Sequence, residues 1–289
     1  MASMRDIKRR RESVSSTQQI TKAMKLVSTV KLQRAKTKAL QSKNYFQSMY
    51  GTVTSLLVKS ESIDSPYTKV SEQTRKAVLV LASNRGLAGG YNANVAKIVT
   101  NGPFDKNDTD IYIVGRKGRE ILERKGYTIK KDYSDLEEGG YDYADAIKVA
   151  NKLMKEFKDG NIGEIYVAYT NFKNTVSQET ILLKLLPILP DDFPDENSDD
   201  KGSQLMMNFE MDDEELLSLL IPKYVASIIH GAMIEAVASE NGARMQAMDS
   251  ATNNAEEMIG KLTLQYNRAR QGSITQELTE IIAGAEAIS

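Results

Sequence analysis

The chain has 289 residues, 27% of them charged, and a formal net charge of −1, which suits a soluble protein with one sizeable core plus something extended. It has no cysteine, so disulfides, thiolate metal sites and thiol redox switching are excluded. No apolar run approaches the roughly 20 residues that cross a bilayer, and nothing at the N-terminus resembles a signal peptide, so a cytoplasmic protein, or one bound to a membrane protein without entering lipid, is expected.

All six prolines, Pro66, Pro103, Pro187, Pro190, Pro194 and Pro222, lie between the first 65 residues and the last 67. Proline breaks a helix interior, so its absence from both ends predicts two very long helices. Near the start, Ile20, Met24 and Val27, then Phe46, Met49, Val53 and Leu56, recur at steps of three and four, the period of a coiled-coil seam. Residues 1–60 carry thirteen Lys or Arg against only Asp6 and Glu12, a surplus of eleven that leaves the remainder acidic. The cluster Arg5, Lys8, Arg9, Arg10 and Arg11 admits three readings: a nucleic-acid arm, a solvated helix face, or a surface that meets an acidic protein collar. No aromatic residue interleaves with it, which argues against nucleic acid.

The middle of the chain changes period. Lys76 to Ala82 is a short apolar run, Ser83 to Asn92 a glycine-containing loop, and Val95, Ile98 and Val99 mark a helix. Asp110 to Gly115 reads as a second strand, Arg116 to Lys125 and Ala144 to Lys158 as helices, and Glu164 to Thr170 as a third strand. Thr180 to Pro187 is predicted to be an edge or hairpin strand, and Pro190 to Gly202 an acidic loop. This alternation predicts a small Rossmann-like α/β domain with a mostly parallel sheet.

Gly86, Gly89 and Gly90 fit neither the dinucleotide pattern G-x-G-x-x-G nor the phosphate-loop pattern, and no lysine follows them. A tight turn packing a helix onto its strand accounts for them. His230 is the only histidine, and Asp212, Asp213, Glu214 and Glu215 read as first-turn acids opening the last helix. No catalytic constellation, metal site or cofactor site emerges.

In the last helix the seam runs through Val225, Ile229, Ala232, Ala236, Ala243, Ala247, Ala251, Ala255, Met258, Leu262, Tyr266 and Ala269. Helical from Lys223 to Ala287, it would span roughly 95 Å at about 1.5 Å per residue. The economical arrangement pairs the two terminal helices antiparallel, giving a rod with an inserted middle domain. The expected division is residues 1–65 as the first coiled-coil helix, 66–211 as the α/β foot domain, and 212–289 as the second helix.

The segments Thr17 to Met24, Ser83 to Asn92, Ala238 to Met248 and Tyr266 to Glu280 resemble the γ subunits of F-type ATP synthase, the central rotor shafts, and the resemblance covers the whole chain. Asn84 stands where that family usually has Asp, and Arg11 stands where an apolar residue is common and is expected to weaken the seam. The resemblance implies a non-catalytic subunit whose terminal helices turn inside a ring of three α and three β subunits. It also implies a foot that contacts the ε subunit and the membrane c-ring, so that membrane association comes only through partners, at the cytoplasmic face. It assigns Arg270, Gln271, Thr275 and Glu277 to a catch on a β-subunit loop, Met24 and Lys25 to the β subunits' acidic collar, and Met207, Phe209 and Glu210 to the c-ring or ε contact. Two other readings remain: a nucleotide-binding enzyme using Gly86 to Asn92 with a coiled-coil oligomerisation arm, and a filament or tether that would form homodimers.

Overall fold

The computed structural model describes residues 4–59, 66–69, 71, 73–136, 141–175, 177–188 and 213–286. Two long helices, α1 (Met4–Lys59) and α5 (Asp213–Glu286), bracket β1 (Lys76–Leu81), α2 (Tyr91–Thr100), β2 (Thr109–Val114), α3 (Arg116–Arg124), β3 (Ile129–Asp132), α4 (Tyr143–Lys158), β4 (Glu164–Phe172) and β5 (Gln178–Leu186). The chain divides into two compact units, one of residues 1–29 with 244–289 and the other of residues 30–243.

In the second unit a five-stranded sheet has the order β3-β2-β1-β4-β5. β1 pairs parallel with β2 and β4, β2 parallel with β3, and β5 antiparallel with β4. Parallel strands buried on both faces read as continuous apolar runs, and β1 and β2 are buried almost throughout. β3 was not expected from the sequence: Ile129-Lys-Lys-Asp132 offers one apolar residue, and it is a strand because it pairs along β2, an edge where lysines suit solvent. On one face of the sheet, Val78, Val80, Val95, Val99, Ile111, Ile113 and Leu122 form a core. On the other, Leu79, Leu81, Tyr112 and Val167 share a core with Leu153 and Phe157 of α4, Val53 of α1, and Ile229, Met233 and Ala236 of α5.

α5 begins at Asp213 and runs through Pro222, whose missing N–H forfeits one helical hydrogen bond. Leu217, Ile221, Val225 and Ile229, all buried, hold the helix across that position. One 18-residue window of α5 is apolar enough to cross a membrane, which corrects the reading that no run approaches that length; 61% of the window is buried inside the protein, so core packing explains its composition.

In the first unit, residues 4–29 of α1 and 244–286 of α5 pair antiparallel: Thr21 meets Thr252 (2.8 Å), Lys25 meets Asp249 (2.5 Å), and Arg11 lies over the Tyr266 ring (5.5 Å). Arg11, expected to weaken the seam, thus has a seam aromatic as its cation–π partner. The phase of α1 also differs from expectation by one residue. Ile20 and Val27 are exposed (58% and 57%), whereas Thr21 and Ser28 are buried and Met24 is half-buried. On α5, Met258 is exposed and Ile259 takes its place between Ala255 and Leu262. The side chains of Phe46 and Leu56, together with the stretch Pro190 to Gly202, Asp212 and Ala287, lie outside the described residues.

Candidate functional site

The glycine loop follows β1 at the carboxyl end of the sheet, where open α/β folds bind ligands. Its geometry is closed upon itself. The Ser83 amide donates to Asn92 Oδ1 (2.9 Å), Ser83 Oγ to the Arg85 carbonyl (2.6 Å), and Asn92 Nδ2 to Ser83 Oγ (2.8 Å). Asn84 works in both directions: its Nδ2 donates to the Ser134 carbonyl (2.8 Å) and its Oδ1 accepts from the Arg116 amide (3.0 Å), which caps the first turn of α3. A carboxylate could make only the second of these bonds, so Asn at this position ties the loop to two neighbours. Leu87, at φ 62, sits in the left-handed region and is 62% exposed.

Close to the end of this loop, α5 makes three contacts. Tyr91 Oη donates to the Ala236 carbonyl (3.3 Å), Ser239 Oγ donates to the Thr170 carbonyl at the end of β4 (2.9 Å), and a Cβ on Gly242 would meet the Gln178 amide at 2.9 Å. α5 thus packs closely against the carboxyl ends of β1 and β4.

His230 is half-buried, edge-on to the Tyr143 ring at 5.4 Å, and Tyr143 is in turn edge-on to Tyr45 at 6.2 Å. Burial, reinforced by the Lys38 ammonium, pushes the His230 pKa below its ordinary value, while burial and the hydrogen bond with Tyr45 push Tyr143 up to about 12. This is a packed aromatic cluster. Among the described residues no group of three or more His, Asp or Glu could hold a metal ion.

The first unit carries the exposed chemistry. Pairing of Arg11 with Tyr266 places the start of α1, at Met4, level with about residue 273, and every residue from Ile274 to Ala285 is exposed. Along this single-helix end, Ile274, Leu278, Ile281 and Ile282 form one apolar stripe (49–68% exposed) at helical spacing. Arg270, Gln271, Thr275 and Glu277 are also exposed; Thr275 Oγ1 donates to the Gln271 carbonyl (2.9 Å) and Ser273 Oγ donates to Glu277 (3.3 Å), so these four sit on adjoining turns. Arg270 makes no ion pair with another described residue. Met24 and Lys25 lie at the seam margin, with Lys25 engaged by Asp249 and Lys22 exposed beside them. Met207, Phe209 and Glu210 lie outside the described residues. The reciprocal Thr21–Thr252 and Lys25–Asp249 contacts were missed in the sequence; the lone Asp249 within an alanine-rich stretch was the signal.

A family model described as ATP synthase matches residues 3–288. The chain is 58% identical to the ATP synthase gamma chain of Lachnoclostridium phytofermentans, over the whole of both chains, and 40% identical to the sodium-ion-specific ATP synthase gamma chain of Acetobacterium woodii, over 99% of each. In fold it is similar to a chain in the mitochondrial ATP synthase of Euglena gracilis, solved with OSCP, F1 and c-ring (TM-score 0.66, 16% identity, 99% of this chain and 94% of that one). A chain of the Tetrahymena thermophila central stalk and c-ring gives a TM-score of 0.61 at 21% identity, covering 80% of this chain and 99% of that one. With a family model that spans nearly the whole chain and full-length identity of this order, the chain belongs to the family of ATP synthase gamma chains, the central-stalk subunits of the F-type enzyme.

Proposed function

We propose that this chain acts as a non-catalytic shaft that transmits torque by touching the catalytic head unequally around its circumference. Family membership makes it a subunit of a membrane-associated ATP synthase. The finer reading assigns it to the cytoplasmic face, inside the α and β subunits, with ε and the c-ring at the other end. Residues 66–211 form the foot and the two terminal helices the shaft. ATP chemistry belongs to the β subunits, and this chain biases their conformations: a ligand with equal affinity for every state shifts none of them, so the contacts must differ from one β subunit to the next.

The observation that carries this reading is the single-helix end of α5. An exposed stripe of Ile274, Leu278, Ile281 and Ile282 on a helix with no described partner calls for a surrounding apolar sleeve. Just below it, Arg270, Gln271, Thr275 and Glu277 present charged and amide groups that suit a hydrogen-bonded catch. Greasy contacts centre a shaft without deep angular wells, and charge-assisted hydrogen bonds create them. Met24 and Lys25, with the basic surplus of residues 1–60, suit an acidic collar, although Lys25 spends part of its charge on Asp249.

The test is rotation and ATPase rate in the reconstituted complex. Arg270→Ala with Gln271→Ala removes charged hydrogen bonds each worth about 1.5–3 kcal/mol, enough to change a dwell's population roughly ten-fold or more. Deletion of residues 283–289 should leave substantial rotation. The opposite outcome, a stalled deletion and a normally turning double variant, reverses the two roles.

A further inference from the structure

The pair of helices in the first unit has a seam that should slide. Ala247, Ala251 and Ala255 repeat every four residues on α5, and small residues present nearly the same surface after a one-turn shift. Polar groups sit where the pair is otherwise smooth. Thr21, 8% exposed, shares a 2.8 Å hydrogen bond with Thr252, and one turn along, Lys25 Nζ lies 2.5 Å from Asp249 Oδ1.

We propose that Thr21, Thr252, Lys25 and Asp249 are positioning residues that lock the register of this antiparallel pair and so fix how far the single-helix end of α5 projects past α1. Moving α5 by three residues one way or four the other brings Ala255 or Met248 opposite Thr21, and Thr252 or Met245 opposite Lys25. Each of these shifts parts the two hydroxyls, leaving them only the carbonyls of Gln18 and Met248 on their own helices, and separates the half-exposed Lys25 ammonium from its carboxylate; matched polar groups at single seam positions are what specify register in coiled coils. Two different pins are needed: hydroxyls alone tolerate several hydroxyl-bearing neighbours, whereas a Lys–Asp pair accepts only its own complement. A slip of one turn carries Arg270 and Gln271 about 5.4 Å along the axis. The functional consequence rests on the catch reading above; the register lock itself does not.

The absence of cysteine lets labelled cysteines report register directly. Spin labels at the exposed Arg9→Cys and Glu256→Cys, offset along the axis, should give one narrow distance in the otherwise unchanged chain. With Thr21→Val, Thr252→Val, Lys25→Ala and Asp249→Ala combined, a second distance shifted by about 5 Å should appear. The exchange Lys25→Asp with Asp249→Lys should restore a single distance, whereas Asp249→Lys alone should not, which separates register from general loss of folding. One unchanged distance in the four-fold variant, or failure of the exchange to rescue while the chain stays helical, overturns the lock. In the reconstituted complex, the ratio of ions pumped to ATP hydrolysed should fall with the slipped population. A slipped population with an unchanged ratio keeps the lock and sinks the catch reading instead.

Discussion

The sheet-bearing unit and the paired-helix unit solve the same problem of burial with opposite materials. The first closes over Leu79, Leu81, Leu153, Ile165 and Ile229, all at or near complete burial. The second has few fully buried residues; Thr21, Ser28, Met248, Ala255 and Leu262 are the main ones, and two of those carry hydroxyls. A thick apolar core holds by area, and each part is costly to remove. A thin seam holds by placement: its stability per residue is low and its specificity lies in a few polar contacts. The body of the molecule is therefore built to keep its shape, and the paired helices to keep their alignment.

The contrast is broken most directly in the body. Leu79→Ala, at zero exposure in the middle of the sheet, should lower unfolding free energy by about 2–5 kcal/mol in urea titration, whereas truncations along the thin seam should not reach that range. Next comes the loop from β1 to α2, which also caps α3. Asn84→Ala leaves the Ser134 carbonyl and the Arg116 amide without their partner and should cost about 1–3 kcal/mol by the same measurement. Neighbouring residues sharpen the comparison within the seam. Ile259→Ala should destabilise the paired helices by about 1 kcal/mol, while Met258→Ala, which is half exposed, should stay within about 0.5 kcal/mol. Equal effects would mean that the seam runs through Met258.

The smallest effect depends on pH. His230 faces Lys38 from α1, Asp142 and Tyr143 at the start of α4, and Tyr45 beyond, and burial holds its folded pKa below the ordinary value. The unfolded chain then binds more protons between the two pKa values, so stability falls as pH drops through the unfolded value near 6.5 and levels off below the folded one. Thermal scans between pH 7.5 and 5.5 should show a larger loss for the parent chain than for His230→Gln.

Much of this was legible in the sequence. The absence of proline and the three–four spacing located both long helices, and the α5 seam through Ala255, Leu262 and Tyr266 is as read. The strands β1, β2 and β4 announced themselves because burial on both faces demands continuous apolar runs. The phase of α1 did not, because the reading assumed that Ile20 and Val27 face inward. They are exposed, and Thr21 and Ser28 are buried, a pattern that makes sense only once α5 is known to supply a hydroxyl partner. β3 was illegible because its strand character comes from its neighbour. At the candidate site, Arg270, Gln271, Thr275 and Glu277 came from the family resemblance and their exposure only from the structure, while Asp249 as the counter-charge to Lys25 needed the pairing of two segments over 200 residues apart.

That same separation has a consequence for synthesis. Leu79 and Val167 share one core with Ile229, Met233 and Ala236, and Tyr91 reaches the Ala236 carbonyl. Once β5 has emerged, the sheet is complete but this face is covered only by α4 and α1, through Leu153, Phe157 and Val53, and still lacks its α5 packing. That part of the core must wait for a helix encoded roughly 150 codons after the first strand, and the interval is when the nascent chain has most need of a chaperone.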